Sequence, residues 1–355
     1  MIRQYKYLGF TFNISGSSAA GIAILIKQAK KAWYCIQHFL SNSKHKDIKT
    51  YISLFDTQIK PILLYACEAW ADSIKEESDI SKLITKNPIE RFHINVLKQL
   101  LGVHKKTTNL AILVELGRHP LLLSIKYQAI KYFLRFASPI SILLNAQYEE
   151  EKQMHFNKEK CLTEYVTSIL DQHGMTYIWK NQLSQRNNQS KIKISLLKEI
   201  KLRLNDMSLQ HIQDYLLNKS IKLNFLGKLK EGFETEYYLK INNFENRRAL
   251  TKLRTSCHNL LIETGRWNNI DRHARLCKKC TQNTVEDEMH FLFDCNMYSH
   301  ERTETFNFVK FQTNIDLFIN ANRLSNLKLL FKSQNLSAVN SLGKFVKSAF
   351  DIREP

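Results

Sequence analysis

Five prolines and ten glycines are all that punctuate this chain of 355 residues. Strand ends and tight turns draw heavily on both types, whereas the abundant Leu, Lys, Ile and Gln are comfortable in long helices. The fold class this predicts is mainly α. The apolar fraction is 44%, with 20 Phe and 14 Tyr, and the length admits two or three domains that each bury a core.

The one strand-like stretch is the opening run Tyr5 to Phe12, aromatic and β-branched, which reads as a strand or hairpin arm ending between Asn13 and Gly16. From Ser17 to Leu40 the period turns helical, with Ile22, Ile26, Ala29, Trp33, Ile36 and Leu40 on one face and Lys27, Lys30 and Lys31 elsewhere on the surface. A second helical stretch covers Asp47 to Ala71 and is expected to break or kink near Pro61, which lacks a backbone donor. Asn87-Pro88-Ile89-Glu90 predicts a helix start, with Asn as N-cap and Glu completing a capping box. Gly102 and Gly117 are expected to end successive helices, and Pro120 to start one that reaches Phe136. Residues 140 to 235 are more polar and read as a helical connector, including the basic stretch Lys191 to Asn218. The residues from about 337 onward are expected to dock loosely.

Near the C-terminus Cys277, Cys280, His290 and Cys295 form a Cys-x2-Cys-x9-His-x4-Cys pattern. Three thiolates and one imidazole at this spacing can close a tetrahedral shell around Zn²⁺, and such a shell leaves no open position for catalysis. A structural Zn²⁺ of this kind stabilises a small fold by on the order of 10 kcal/mol. Cys257, His258, His273 and His300 are the competing ligands, ranked below these four. The other cysteines, Cys35, Cys67 and Cys161, are scattered, as in a reducing compartment rather than a disulfide framework. With no apolar run of about 18 residues and no signal-peptide core, the expectation is a soluble, intracellular protein without membrane partners, nucleus and cytoplasm not being distinguished.

Lys and Arg number 52 against 33 acidic residues, a formal charge of +19. Such an excess favours a polyanionic partner through counterion release. Arg247, Arg248, Lys252, Arg254, Arg266, Arg272, Arg275, Lys278 and Lys279 crowd around the cysteine cluster, and helical spacing brings Arg247 near Arg254 and Arg248 near Lys252. The bland alternative is a solvated helix face. Searches for chemistry fail: Gly16-x4-Gly21 is followed by Ile22 and Ala23, where a phosphate loop needs Lys and Ser or Thr. There is no Asp-Asp pair to hold two Mg²⁺ ions and no Pro-Asp nuclease signature. Glu286, Asp287 and Glu288 precede His290 and are expected to be solvated or to orient the histidine.

Several blocks together resemble the C-terminal part of a non-LTR (LINE-type, jockey-like) retrotransposon reverse transcriptase. The opening YKYLGFTF is similar to the motif that ends the palm and forms the primer grip, and PILLYACEAW, Pro61 to Trp70, resembles a thumb helix. LLGVHKKTTNLAILVELGRHPL, Leu100 to Leu121, looks like the helical pair that follows. RRALTKLRTSCHNLLIETGRW, Arg247 to Trp267, leads into LCKKC and VEDEMHFLFDC, which resemble the family's Cys-Cys-His-Cys element. The resemblance covers most of residues 1 to 310, is weakest in the connector, and is most specific in its last block.

The resemblance implies a parent activity of RNA-directed DNA polymerisation. It also implies that the fingers, most of the palm with its metal-binding aspartates, and the endonuclease lie before Met1, so binding roles carry over and catalysis does not. Tyr7, Leu8 and Gly9 correspond to a primer-grip remnant whose opening strand is expected to fray without its partner strands. The implied organisation is a palm remnant (1–16), a thumb-like helical domain (17–140), a helical connector (141–235), a basic region with a zinc knuckle (236–310) and C-terminal helices (311–355). The expected function is a catalytically incomplete fragment, not an enzyme, that binds RNA or single-stranded DNA through Lys27, Lys30, Lys31, Arg247, Arg248, Lys252, Arg254, Arg275, Lys278 and Lys279. Two alternatives remain open: a zinc-stabilised structural module that docks another protein, such as a polymerase core supplied in trans, or part of an active polymerase whose gene continues upstream.

Overall fold

The computed structural model describes residues 4–41, 47–74, 79–136, 142–157, 159, 161–182 and 189–353. Among them the chain is mainly α-helical, and its one sheet is a two-stranded antiparallel hairpin. Strand β1, Gln4–Tyr7, pairs with β2, Phe10–Asn13, in a register that sets Tyr7 opposite Phe10. Leu8 and Gly9 form the two-residue turn with φ of 45° and 92°, positive at both positions as the strand twist requires. The opening strand is therefore paired locally, by its own neighbour.

The described helices fall into two compact units: Met1–Phe39, Ser53–His93 and His119–His211 make the first, and Leu40–Ile52, Ile94–Arg118 and Ile212–Pro355 the second. Each gathers residues from more than one of the five segments expected from sequence, and the boundary expected at 140 lies outside the described residues.

In the first unit the hairpin rests on α1, Ala19–Ser41, where Phe10 is buried against Gly21; a Cβ there would stand 2.3 Å from the Phe10 ring. Of the expected stripe on α1, Ala29, Trp33 and Leu40 are buried while Ile22, Ile26 and Ile36 are only half-buried, and Gly21 and Leu25 complete the buried face. Lys27, Lys30 and Lys31 are exposed. The stretch around Pro61 is interrupted more strongly than expected. Helix α2, Ile48–Leu54, widens into a π-turn at Phe55–Ile59 before α3, Lys60–Leu63, and past Ala66 (φ 51°) only short 3-10 turns follow, at Cys67–Ala69 and Ala71–Ser73. Pro61 has no N–H to return to the preceding turn, and a local widening is one way a helix accommodates the loss. Helix α4, Ile80–Lys86, is capped by Asp79.

Helix α5, Pro88–Leu101, begins as expected, with Asn87 Oδ1 accepting the Ile89 and Glu90 amides at 3.0 and 3.1 Å. The expected capping box is not made. Glu90 turns inward, where Oε1 meets His93 Nδ1 at 2.7 Å and Oε2 accepts the Leu122 amide at 3.3 Å. Burial decides this: Glu90 and His93 are both 0% exposed, and a buried carboxylate takes every donor in reach. Phe55 stacks on His93 and meets Trp33 edge-on.

Helix α6, Asn109–Leu116, closes on Gly117 (φ 57°). Helix α7, Leu121–Phe136, follows Pro120 and packs on α9, Leu162–Gln172; α9 in turn touches α8, Ile142–Phe156, and α10, Thr176–Gln182. Buried Ile125, Ala129, Phe133 and Val166, Ile169, Leu170 recur at the three-to-four spacing that makes a helix face. Helix α11, Gln189–Asp214, runs into a π-turn at Tyr215–Lys219.

The second unit is built from α6, α12 (Asn224–Leu229), α13 (Phe244–Arg254), α14 (Leu261–Trp267), α15 (Ser299–Thr313), α16 (Arg323–Lys332) and α17 (Leu336–Arg353). The last helix packs along both α13 and α15, burying Ala338, Val339, Leu342, Phe345, Val346 and Ala349. This corrects the expectation of loose docking after 337: the apolar period of α17 makes it a central element of the unit.

Candidate metal centre and the basic residues around it

An isolated antiparallel bridge between Leu276 and Val285 folds the segment between them back on itself. The Cys277 amide donates to the Thr284 carbonyl (2.8 Å), the Glu286 amide to the Arg275 carbonyl (2.9 Å), and Asn283 takes a left-handed conformation (φ 53°) inside the loop. On the far side His290–Asp294 form one wide turn. Asp287 Oδ1 accepts the His290 amide (2.9 Å), and the Cys295 amide donates back to the His290 carbonyl (2.8 Å). Phe291 and Phe293 fix this turn to the core, stacking on Phe350 and packing against Phe306.

The result brings Cys277, Cys280, His290 and Cys295 together, with one ligand atom from each lying within 4.8 Å of all the others. Cys277 Sγ stands 3.9 Å from Cys295 Sγ, and Cys280 Sγ 3.5 Å from His290 Nε2. A tetrahedral cation at about 2.3 Å from sulfur and 2.0–2.1 Å from nitrogen separates two sulfurs by about 3.8 Å and a sulfur from a nitrogen by about 3.5 Å. The donors are thus spaced as the edges of a coordination tetrahedron. The sulfurs are also far beyond the roughly 2.05 Å of a disulfide, and every cysteine is free.

Neighbouring groups present these donors. Thr284 Oγ1 lies 2.9 Å from His290 Nδ1; with the proton on Nδ1, Nε2 is left as the lone-pair donor, the usual arrangement for a metal-bound imidazole. Burial lowers the His290 pKa and keeps the ring neutral. Burial also pushes the Cys277 thiol up to about 12 and raises Cys295. A cation therefore enters by displacing thiol protons. Arg302 holds the wide turn from behind, donating to the carbonyls of Leu292 (2.9 Å) and Cys295 (2.6 Å).

Of the three carboxylates before His290, Glu286 and Glu288 are buried rather than solvated, and Asp287 is half-buried. Glu286 is 2% exposed; it accepts the Leu261 amide (2.8 Å), pairs with Arg353 at 2.6 Å and lies 3.6 Å from Cys277 Sγ. Glu288 meets His258 Nε2 at 3.2 Å and Ser256 Oγ at 3.4 Å. Burial would raise its pKa, but the His258 hydrogen bond and charge outweigh that and hold it low. Asp287 alone orients the histidine, through its backbone. The competing ligands are accounted for: Cys257 accepts from Thr107 Oγ1 (2.9 Å), His258 belongs to Glu288, His273 is exposed, and exposed His300 lies 3.8 Å from Glu304.

The expected basic surface divides. Lys278 and Lys279 are exposed on the metal loop, and Arg248 and Lys252 are half-buried on α13. Arg248 Nε donates to the Gly102 carbonyl (2.8 Å). Arg275 is committed to backbone, donating to the carbonyls of Ile270 (2.9 Å) and Ile262 (2.8 Å). Arg247 and Arg254 require correction, being 4% and 1% exposed. Arg247 donates to the Ile241 carbonyl (2.6 Å). Arg254 pairs with Glu115 (3.0 Å) and Glu236 (3.1 Å) and lies 4.6 Å over the Phe331 ring. Burial would lower its pKa, but Glu115 and then Glu236 overcome this and keep the guanidinium charged. Their place on α13 follows from its period: the helix turns these two arginines inward with Leu250 and Leu253. Tyr7, Leu8 and Gly9 form the exposed tip of the hairpin, where Tyr65 Oη donates to the Leu8 carbonyl.

Sequence reasoning missed Thr284, Arg302 and Arg353. Thr284 sits beside the ligands and could have been suspected; Arg353 lies 67 residues from Glu286, with no local signal to join them. Among the described residues no helix is long and apolar enough to cross a membrane. Compared with protein-family models, curated proteins and solved structures, the chain matches none.

Proposed function

We propose that this chain is a catalytically incomplete portion of a non-LTR retrotransposon reverse transcriptase that binds RNA or single-stranded DNA, with a structural Zn²⁺ held by Cys277, Cys280, His290 and Cys295. The observation that carries the reading is the tetrahedral spacing of those donors beneath a loop that exposes Lys278 and Lys279. Three sulfurs and one imidazole suit Zn²⁺ among the common divalent ions, and a full four-ligand shell supports structure rather than chemistry. The positive excess of +19 supports a polyanionic partner. The polymerase parentage rests on the resemblance of the blocks from Tyr5 to Phe12, Pro61 to Trp70, Leu100 to Leu121 and Arg247 to Cys295.

A salt titration tests the binding. Four phosphate contacts give a slope of about −2.8 in log affinity against log salt, hence about a fiftyfold loss between roughly 50 and 200 mM. Salt-insensitive binding, or none, would remove nucleic acid from the reading. A protein-docking role is the second reading, favoured by the exposure of Trp267 (65%) and Phe311 (82%). It expects a complex that survives nuclease treatment, and a complex that nuclease dissolves speaks against it.

A further inference from the structure

An open cleft of about 720 Å³ lies in the second unit, walled by the π-turn Tyr215–Lys219, α12 and α14. Its volume falls within the range of pockets that enclose small organic ligands. Leu216, Phe225 and Ile262 contribute apolar surface to its lining, and Leu217 and Ile221 stand 71% and 82% exposed at its edge. Five cationic side chains line it against two carboxylates. The carboxylates are already spent inside the protein: Glu263 takes Arg266 at 2.5 Å and Lys222 at 3.8 Å, and Glu288 takes His258. Lys228 and Arg272 are exposed, and among the described residues neither is paired.

We propose that this cleft seats one to two nucleotides of a single strand, with phosphate at Lys228 and Arg272 and a base against Ile221 and the apolar wall. The inference rests on the nucleic-acid reading above and adds to it a place and a preference. A cation pair beside an apolar wall suits a ligand with both an anionic backbone and an apolar face. An unpaired nucleotide offers both, because its base is free to leave the stack, whereas a duplex keeps its base faces covered. The cleft is also braced to the metal loop. The Ile262 amide donates to the Glu286 carbonyl (3.1 Å), and the Ile262 carbonyl accepts from Arg275, so the wall is held by residues that flank the bridge beside Cys277.

The test uses the full chain and fluorescence anisotropy with four probes: a 12-nucleotide oligothymidylate, the same length of abasic phosphodiester, a 12-base-pair duplex and a 12-residue oligoglutamate. The oligothymidylate is expected to bind about tenfold more tightly than the abasic strand, as one stacked base allows, and more tightly than the duplex. Lys228→Glu with Arg272→Glu is expected to weaken it at least tenfold and to lessen the salt slope by about 1.4, two single-strand phosphate contacts. Ile221→Ser, at a position too exposed to disturb the core, is expected to remove most of the preference over the abasic strand. Oligothymidylate binding unchanged in both variants, equal affinity for the abasic strand, or oligoglutamate binding best would each overturn the cleft assignment. If Lys278→Glu with Lys279→Glu weakens binding while the cleft variants do not, the cleft falls and the nucleic-acid reading stands. If the wild-type chain binds none of the three nucleic-acid probes, both fall.

Discussion

Lys98 is 5% exposed, with its Nζ donating to the Lys105 carbonyl (2.8 Å) and to Asn109 Oδ1 (2.7 Å). Burial lowers its pKa to about 8, the nearby Cys257 thiol opposing and Lys222 reinforcing the shift. An unfolded lysine titrates near 10.4. Between those two values the unfolded chain binds more protons than the folded one, so this group makes stability rise with pH from about 8 to 10.4 and is neutral to pH above and below that window. Lys98→Met removes the titration, whatever its offset from the two lost hydrogen bonds. The wild type is therefore expected to gain on the variant as pH is raised from 8 to 10, by at most about 1.4 kcal/mol per unit. Urea unfolding of both proteins at pH 7, 8, 9 and 10 checks this, and a gap that stays constant would show that Lys98 is not held at a lowered pKa. The same contrast explains what single residues reveal in sequence. The four metal donors were legible because they fall within one short segment. Arg254 was legible as a cation but not as a buried one, since its partner Glu115 lies 139 residues earlier.

Helix α6 shows which elements sequence reveals. Its run Leu110 to Leu116 is buried on every side, as a helix apolar all round must be, and Glu115 inside it is tolerated because Arg254 and Tyr238 reach it. The stop at Gly117 was legible from glycine alone, but its stringency was not. Gly117 combines φ of 57° with a tight seat, where a Cβ would stand 2.5 Å from the Glu234 carbonyl carbon. Gly117→Ala is expected to destabilise the chain by about 2–4 kcal/mol, adding roughly 1 kcal/mol of left-handed strain to the 1–3 of overpacking. Gly174 supplies the control, with φ of 66° and nothing within 4 Å; Gly174→Ala should cost only the strain. Equal midpoints for the two variants in thermal unfolding would contradict the packing argument. The π-turn at Phe55–Ile59 was legible only as a break near Pro61, because its form depends on what Phe55 packs against: Trp33 and His93 from distant helices.

At the scale of the whole molecule, the metal centre and the last helix belong to one packing system within the second unit. Glu286 joins Arg353 at the end of α17 to the amide of Leu261 and lies against Cys277, while Phe291 stacks on Phe350. The wide turn from His290 to Asp294 is also held by Phe293 against Phe306 and by Arg302. The segment from Cys277 to Thr284, which carries Lys278 and Lys279, has little to hold it besides the flanking bridge, a few backbone bonds and the donors themselves. The helices α13, α15 and α17 keep a large apolar core of their own. Metal removal should therefore open the loop locally rather than unfold the chain, even though binding at such sites is worth on the order of 10 kcal/mol or more. Chelated protein is expected to be cut by trypsin at Lys278 and Lys279 at least tenfold faster, while α7 and α9 in the first unit stay protected. Cys280→Ser should lower metal stoichiometry below one and give the same cleavage pattern without a chelator, because loss of one thiolate leaves an incomplete shell. Metal content unchanged by Cys280→Ser would remove that residue from the ligand set. Cleavage of α7 and α9 as fast as of the loop would mean that the metal supports far more of the molecule than its own segment.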